Sequence, residues 1–392
     1  MPQTSATAVL SQTSIAPATA SVASGRIDQI DVLRGISILA VIVHHMNLRM
    51  PLNKTPLGRH LPAALTSDLG WNGYNGVIIF FAISGFLITS TCLRRWNILS
   101  QISLPRFYRL RAARIAPMLL ALLLVLSALH LLRVPYFTIN PARSSLPRAL
   151  FAALTLHVNW LEARHGYLPA NWDVLWSLSN EEMFYLFFPV LCLLLKRRAA
   201  LISALGLFIL AGPLARTVFT HNSLWADYGY LSAMDAISMG CVAAIAADAI
   251  AFSPRNRRAM QWIGCALIVF VTGFRVEVGR IGLYRMGLDV TLLAAGTALA
   301  CIAFLQNSLP GSWWLAPVRW FGRNSYEVYL THMMVVFPVL AMAALFDQAR
   351  LWAPLWYGLA LCLAGALGGV IAHCYSEPMN RRLRRRWSAK AA

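Results

Sequence analysis

The sequence predicts an all-α polytopic membrane protein, about ten transmembrane helices in one bundle. Three observations predict it. Hydrophobic residues make up 58% of the 392-residue chain and charged residues only 12%, where a soluble domain carries roughly 25%. Apolar runs long enough to cross a bilayer as helices recur along the whole chain. The net charge of +19 is gathered into basic clusters between those runs. In a soluble protein such a charge would point to nucleic acid. Here membrane topology accounts for it, and no nucleic-acid partner is expected.

Residues 1–25 are rich in Ser, Thr, Ala and Pro and contain no basic residue, so they lack the basic start of a signal peptide. They read as a disordered cytoplasmic tail. Apolar spans follow at 30–48, 73–93, 115–134, 174–195, 199–219, 231–251, 260–276, 287–306, 325–346 and 352–375. Lys and Arg favour the cytoplasmic side. The clusters at 94–114, at Lys196–Arg198, at 254–258, at Arg319 with Arg323, and from Arg381 onward all become cytoplasmic if both termini lie inside. The segment 146–163 is apolar enough to be an eleventh span, but counting it would place three basic clusters outside. It is therefore expected to be a re-entrant or interfacial segment covered by protein or water. Residues 26–380 then form one transmembrane domain, and 381–392 a basic cytoplasmic tail. The seven cysteines show no CxxC pair and no zinc spacing, so no metal is expected.

Ionisable residues inside such a bundle are costly and are functional candidates by default. In "IDVLRGISILAVIVHHMN" Arg34 and His45 are eleven residues apart. At 100° per residue that is three turns plus about 20°, so they share a helix face about 16 Å apart, whereas His44 is rotated about 80° away. In "WSLSNEEMFYLFFP" the adjacent Glu181 and Glu182 lie in an apolar helix, and Ser177 and Tyr185 share the face of Glu181. A carboxylate in the same half of the membrane as His45 would orient its imidazole. Arg111 and Arg114, three residues apart, either belong to the positive-inside signal or clamp phosphate on a cytoplasmic ligand. Asp235 and His332 read as structural polar residues. Gly85 in "FFAISGFLIT" reads as a point of close helix packing.

Together these stretches resemble the bacterial membrane acyltransferase-3 family, the O-acetyltransferases of surface polysaccharides, lipopolysaccharide, Nod factors and macrolides. "DVLRGISILAVIVHH", "GVIIFFAISGFLIT", "RFYRLRAARIAP", "WSLSNEEMFYLFFP", "MDAISMG", "GRNSYEVYLTHMMV" and "YSEPMNRRLRR" occur in the family's order between residues 26 and 386. Asn180 departs from the pattern, which usually has a small or apolar residue there. The resemblance implies an integral membrane transferase of the bacterial inner membrane. It would take an acyl group, usually acetyl, from cytoplasmic acyl-CoA to a hydroxyl of a sugar or glycan. It implies His45 as the catalytic residue and Arg111 and Arg114 as donor contacts. Glu181 or Glu182 would orient His45, and Arg34 would stabilise charge on the donor side. Transfer is either direct or through an acyl-His intermediate. Some members add a C-terminal extracytoplasmic domain. This chain reads as the stand-alone form, meeting its acceptor directly or through a separate extracytoplasmic partner. The rival class is a secondary transporter, because intramembrane Arg, His and Glu also build proton relays. No inverted repeat is visible to support that class.

Overall fold

Among the described residues every regular element is helical, and there is no strand. The structure is a computed structural model, and it describes residues 26–218, 221–307 and 311–389. The expected tail at 1–25 lies outside them.

Eighteen of the nineteen α-helices fall into three kinds. Long apolar helices are α1 (Asp28–Asn47), α4 (Gly73–Trp96), α5 (Leu104–Leu131), α8 (Leu175–Leu194), α9 (Arg198–Val218), α11 (Tyr230–Ala249), α12 (Pro254–Gly273), α14 (Leu288–Gln306) and α18 (Ala353–Ile371). Short connecting helices are α2 (Pro56–His60), α3 (Ala63–Gly70), α6 (Leu146–Leu154), α7 (Val158–His165), α10 (Ser223–Tyr228), α13 (Arg275–Arg280) and α15 (Ala316–Arg323). The pair α16 (Ser325–Thr331) and α17 (Met333–Ala343) is one span bent by 49° at His332. After α18 a π-helical turn, Ala372–Ser376, leads into the remaining helix, α19 (Glu377–Ala389). By length and composition seven helical stretches suit a membrane crossing, or eight with the bent pair. The expected count of about ten is not reached by that measure. The two expected spans that fall short are α8, which carries Asn180, Glu181 and Glu182, and α12, which begins "PRNRR". The outward side chains Leu207, Leu210 and Leu214 of α9 are more than 60% exposed, as suits a helix facing lipid in a multi-pass membrane protein.

The segment at 146–163 is two short helices, α6 and α7, of nine and eight residues. A crossing helix needs about 20 residues. The segment is held by polar contacts buried within the protein. Asn159 Nδ2 donates to Asn180 Oδ1 at 3.0 Å and to the Tyr228 carbonyl at 3.1 Å, and Asn180 Nδ2 donates to the same carbonyl at 3.0 Å. Asn180, the departure from the family pattern, thus ties α8 to α7. Glu162 is fully buried and accepts from the Leu168 amide at 3.0 Å. Burial and the neighbouring Asp173 carboxyl push Glu162 well above the usual carboxylate range.

Two features fix the bundle around the site. At the basic end of α1, Asp31 accepts from Arg26 at 2.7 Å and from Arg323 at 3.4 Å, while Asp28 pairs with Arg323 at 3.1 Å. These carboxylates lie in the first turn of α1, where the helix dipole favours them, and they pin α15 against it. In the middle, α4 and α11 touch backbone to backbone. A Cβ on Gly85 would collide with the Ile237 carbonyl, and one on Gly240 with the Ala82 carbonyl. The close packing expected at Gly85 is present, with Gly240 as its counterpart. Asp235 is wholly buried and held by Arg216 at 2.6 Å and Thr291 at 2.8 Å, an ion pair internal to the bundle.

Candidate active site

A cavity of about 380 Å³ opens between α1, α4, α5, α8, α16 and α19. It borders α4 from Val77 to Trp96, about 28 Å of helix at 1.5 Å per residue. Its volume lies in the range of small-molecule sites. Five guanidinium groups line it (Arg34, Arg95, Arg111, Arg114 and Arg384) against two carboxylates, Glu181 and Glu182.

Arg111 and Arg114 lie in the first turns of α5, which begins at Leu104, eleven residues before the expected start of that span. Pro105 in the first turn suits this start, since its missing N–H has no helical partner there. Spaced i, i+3, the two arginines point the same way. Arg111 donates to Glu182 Oε1 at 2.6 Å, stands 3.8 Å from Glu181 Oε1, and lies 3.9 Å over the Tyr185 ring. Glu181 also accepts from Ser84 Oγ at 2.7 Å and from Tyr185 Oη at 2.9 Å. Arg114 pairs with the buried Glu327 at 3.4 Å, and Glu327 also accepts from Ser376 Oγ in the π-helical turn at 2.6 Å. The expected encounter of His45 with Glu181 or Glu182 does not occur among these contacts. The carboxylates are instead occupied by Arg111, Ser84 and Tyr185, which lie nearer the basic end.

Arg34 and His45 do share a face, as the helical spacing predicts, and that face lies on α16. Arg34 donates to Ser325 Oγ at 2.8 Å, and His45 meets His332 seven residues further along the bent pair. Arg34 borders the cavity and has no carboxylate in ion-pair range among the described residues. His44 turns the other way. Its Nδ1 lies 3.2 Å from the Gly70 carbonyl and its ring sits against Trp71 and Gly73, where a Cβ would strike the imidazole.

His45 Nδ1 lies 2.8 Å from the Val41 carbonyl and 3.3 Å from His332 Nε2. His332 Nδ1 lies 2.6 Å from the Tyr329 carbonyl. A carbonyl only accepts, so each contact assigns the hydrogen to Nδ1 of that ring. His332 Nε2 is then an acceptor facing the His45 Nδ1–H, and His45 Nε2 keeps a free lone pair. His332 is fully buried, 4.9 Å from His45 between ring centroids. It is the residue that the sequence reading assigned to structure and that the fold brings to His45. Its sequence signals are an ionisable group within an apolar helix, the same signal that singled out His45, and its place in the family-like stretch "GRNSYEVYLTHMMV". Among the described residues no group of three or more His, Cys, Asp or Glu is gathered as a metal would require.

Neither His45 nor His332 borders the cavity. The inner wall between them is Phe80, Ser177 and Tyr329. Tyr329 Oη bonds Ser177 Oγ at 2.7 Å, and its ring lies 5.8 Å from that of His332.

Residues 27–374 match the acyltransferase domain family. The chain is 24% identical over 352 residues to peptidoglycan O-acetyltransferase OatA of Listeria monocytogenes, covering 83% of this chain and 52% of that protein. It is 26% identical over 336 residues to a putative peptidoglycan O-acetyltransferase, YrhL, of Bacillus subtilis, covering 78% and 48%. A putative O-acetyltransferase of Staphylococcus aureus is 31% identical over 177 residues, covering 43% and 26%. The chain thus spans about half the length of the first two relatives or less of the third. No solved structure matches it. From the start of α1 to the π-helical turn before α19, this chain belongs to the acyltransferase domain family.

Proposed function

We propose that this protein is a multi-pass O-acetyltransferase of the bacterial inner membrane. It carries an acetyl group from acyl-CoA on the cytoplasmic side to a hydroxyl of a glycan. The observation that carries the reading is the guanidinium-lined cavity running from the basic ends of α4 and α5 toward the His45–His332 pair. The basic clusters favour a cytoplasmic mouth and cytoplasmic termini. The relatives' names favour acetyl as the group and a peptidoglycan-like glycan as acceptor, and the family match favours the transferase over the transporter alternative.

The chemistry follows from the tautomers. With Nδ1–H engaged by Val41 and His332, His45 presents Nε2 as base or nucleophile. In direct transfer, Nε2 takes the proton of the acceptor hydroxyl as its oxygen attacks the thioester carbonyl. The C–O bond forms, the C–S bond breaks, and the proton passes to the departing thiolate. In the covalent route Nε2 attacks first and the thiolate leaves, giving an acetyl-imidazolium. The hydroxyl oxygen then forms the C–O bond as the C–N bond breaks, and the hydroxyl proton passes to the freed Nε2 and on to the thiolate. Either route uses the same free lone pair. His332 acts as a positioning residue, fixing the tautomer and accepting the bond that strengthens as His45 gains charge. Arg34 lies about 16 Å along α1 from His45, too far to touch the reacting carbonyl. It serves the path of the donor arm below it.

The test is transfer in sealed liposomes. Acetyl-CoA labelled in the acetyl group is supplied on the basic side and glycan fragments on the other. A base-labile acetyl ester on the glycan, with stoichiometric release of CoA thiol, is expected. Movement of label or protons across the membrane without ester formation would replace this reading with the transporter.

A further inference from the structure

The geometry points to a phosphate-binding pair that neither the family motifs nor the sequence assigned: Arg95 and Arg384, at the mouth of the cavity, hold the diphosphate-bearing end of the acyl donor. This deepens the reading of acyl-CoA as donor and rests on it.

The inference starts from which guanidinium groups are already satisfied. Arg111 is neutralised by Glu182 at 2.6 Å, and Arg114 faces Glu327 at 3.4 Å. Both still border the cavity, but their charge is largely spent inside the protein. Arg34 lies deep and bonds Ser325. Arg95 and Arg384 also border the cavity, yet among the described residues neither has a carboxylate in ion-pair range. Arg384 instead feels the charges of Arg95, Arg114 and Arg111. Like charges held together without a counter-ion repel, and a phosphate between them reverses the sign of that energy.

The fold, not local sequence, brings the two together. Arg95 lies in the last turn of α4, where the helix dipole favours a cation. Arg384 comes from α19, nearly three hundred residues later. Helix α19 continues the stretch of α18 through the π-helical turn at Ala372–Ser376 and lies along α5, with Tyr375 Oη on the Pro117 carbonyl at 3.1 Å and Arg109 on the Trp387 carbonyl at 3.4 Å. The segment expected to be a simple basic tail is therefore, over 381–389, a docked helix that completes the rim of the cavity. Trp96 and the buried Phe107 line the same cavity. Two planar guanidinium groups suit paired phosphoryl oxygens, each able to donate a two-pronged bond.

Phosphate also comes from lipid headgroups, so the test separates the two sources. CoA binding is measured by calorimetry on the full chain in nanodiscs of phosphatidylcholine and, separately, of phosphatidylglycerol. Wild-type protein should bind CoA in the neutral discs, more weakly as salt rises. Arg95→Gln and Arg384→Gln should each weaken CoA about ten-fold or more. Arg94→Gln, the neighbour that does not border the cavity, should not. S-acetyl-pantetheine, which lacks the phosphates, should bind all four proteins alike. Arg384→Lys keeps the charge and should recover part of the loss. Unchanged CoA affinity in both Gln variants overturns the assignment while leaving acyl-CoA as donor. A change in CoA affinity of the Gln variants confined to the phosphatidylglycerol discs assigns the pair to lipid and also overturns it. No CoA binding by wild-type protein overturns the donor reading itself, and the assignment with it.

Discussion

The two ends of the path treat charge in opposite ways. Toward its basic end, Arg111 sits within reach of both Glu181 and Glu182, and Arg114 faces Glu327, so these two guanidinium groups have counter-charges. At the other end, among the described residues, His45 and His332 bond backbone carbonyls and each other and touch neighbouring rings, with no carboxylate in hydrogen-bond range. On the proposed reading the difference separates two tasks. A permanent charge in low dielectric must be paired or it destabilises the fold. An imidazole that is to accept a proton is better surrounded by neutral partners that fix its tautomer and leave one nitrogen free.

The largest expected effect tests the neutral end. His45→Ala should lower acetyl transfer by about 10³-fold, within the range for loss of a positioned base, while the protein still folds and inserts. His44→Ala should stay within a few-fold of wild type, because His44 faces Gly70 and Trp71. Transfer assays on the two variants side by side decide it, and a reversed result would mean that the face of α1 has been misassigned.

A smaller effect tests the pairing of the imidazoles. His332→Ala should cost about 10- to 100-fold in kcat, by analogy with loss of groups that orient a catalytic or metal-bound ligand. It should also change the acid limb of the pH–rate profile. His332→Gln puts a carbonyl acceptor near the place of Nε2 and should recover part of both. A packing role alone would leave the pH profile of the Ala variant unchanged.

The smallest effect tests the paired end, and its first readout is stability. Arg111→Met leaves Glu181 and Glu182 facing each other and should cost about 2 kcal/mol or more. Glu182→Gln leaves Arg111 with Glu181 and should cost about 1 kcal/mol, both figures sitting below the range for fully buried pairs because these side chains are part-exposed. Thermal unfolding in detergent ranks them. Equal losses would show that Glu181 and Glu182 do not share Arg111.

Much of this was legible in the sequence because bilayers impose simple rules. Apolar length located the helices, and the 100° step per residue correctly chose the face of α1 that carries Arg34 and His45. The family motifs marked most of the polar residues that line the cavity. What failed was pairing between helices. Glu181 and His45 were placed in the same half of the membrane by counting turns, but counting turns gives depth and not azimuth, and α8 turns Glu181 toward Ser84 and Arg111. His332 was undervalued for the same reason, since a lone histidine in "YLTHMM" does not reveal which helix it will face. Arg384 was hidden in a run of basic residues that topology already explained. The packing of α19 along α5 brings it to the cavity, and no sequence pattern shows that packing.

Tyr329 and Ser177 have one more consequence. On the proposed reading an acetyl group passes from one side of a bacterial membrane to the other, and such a route is also a route for protons across a membrane that stores energy as a proton gradient. The hydrogen bond between Tyr329 Oη and Ser177 Oγ, with Phe80 beside it, closes the cavity before it reaches the imidazoles. On the same reading that wall is an insulator, standing between the water of the basic mouth and His45 Nε2 so that acetyl transfer need not discharge the membrane.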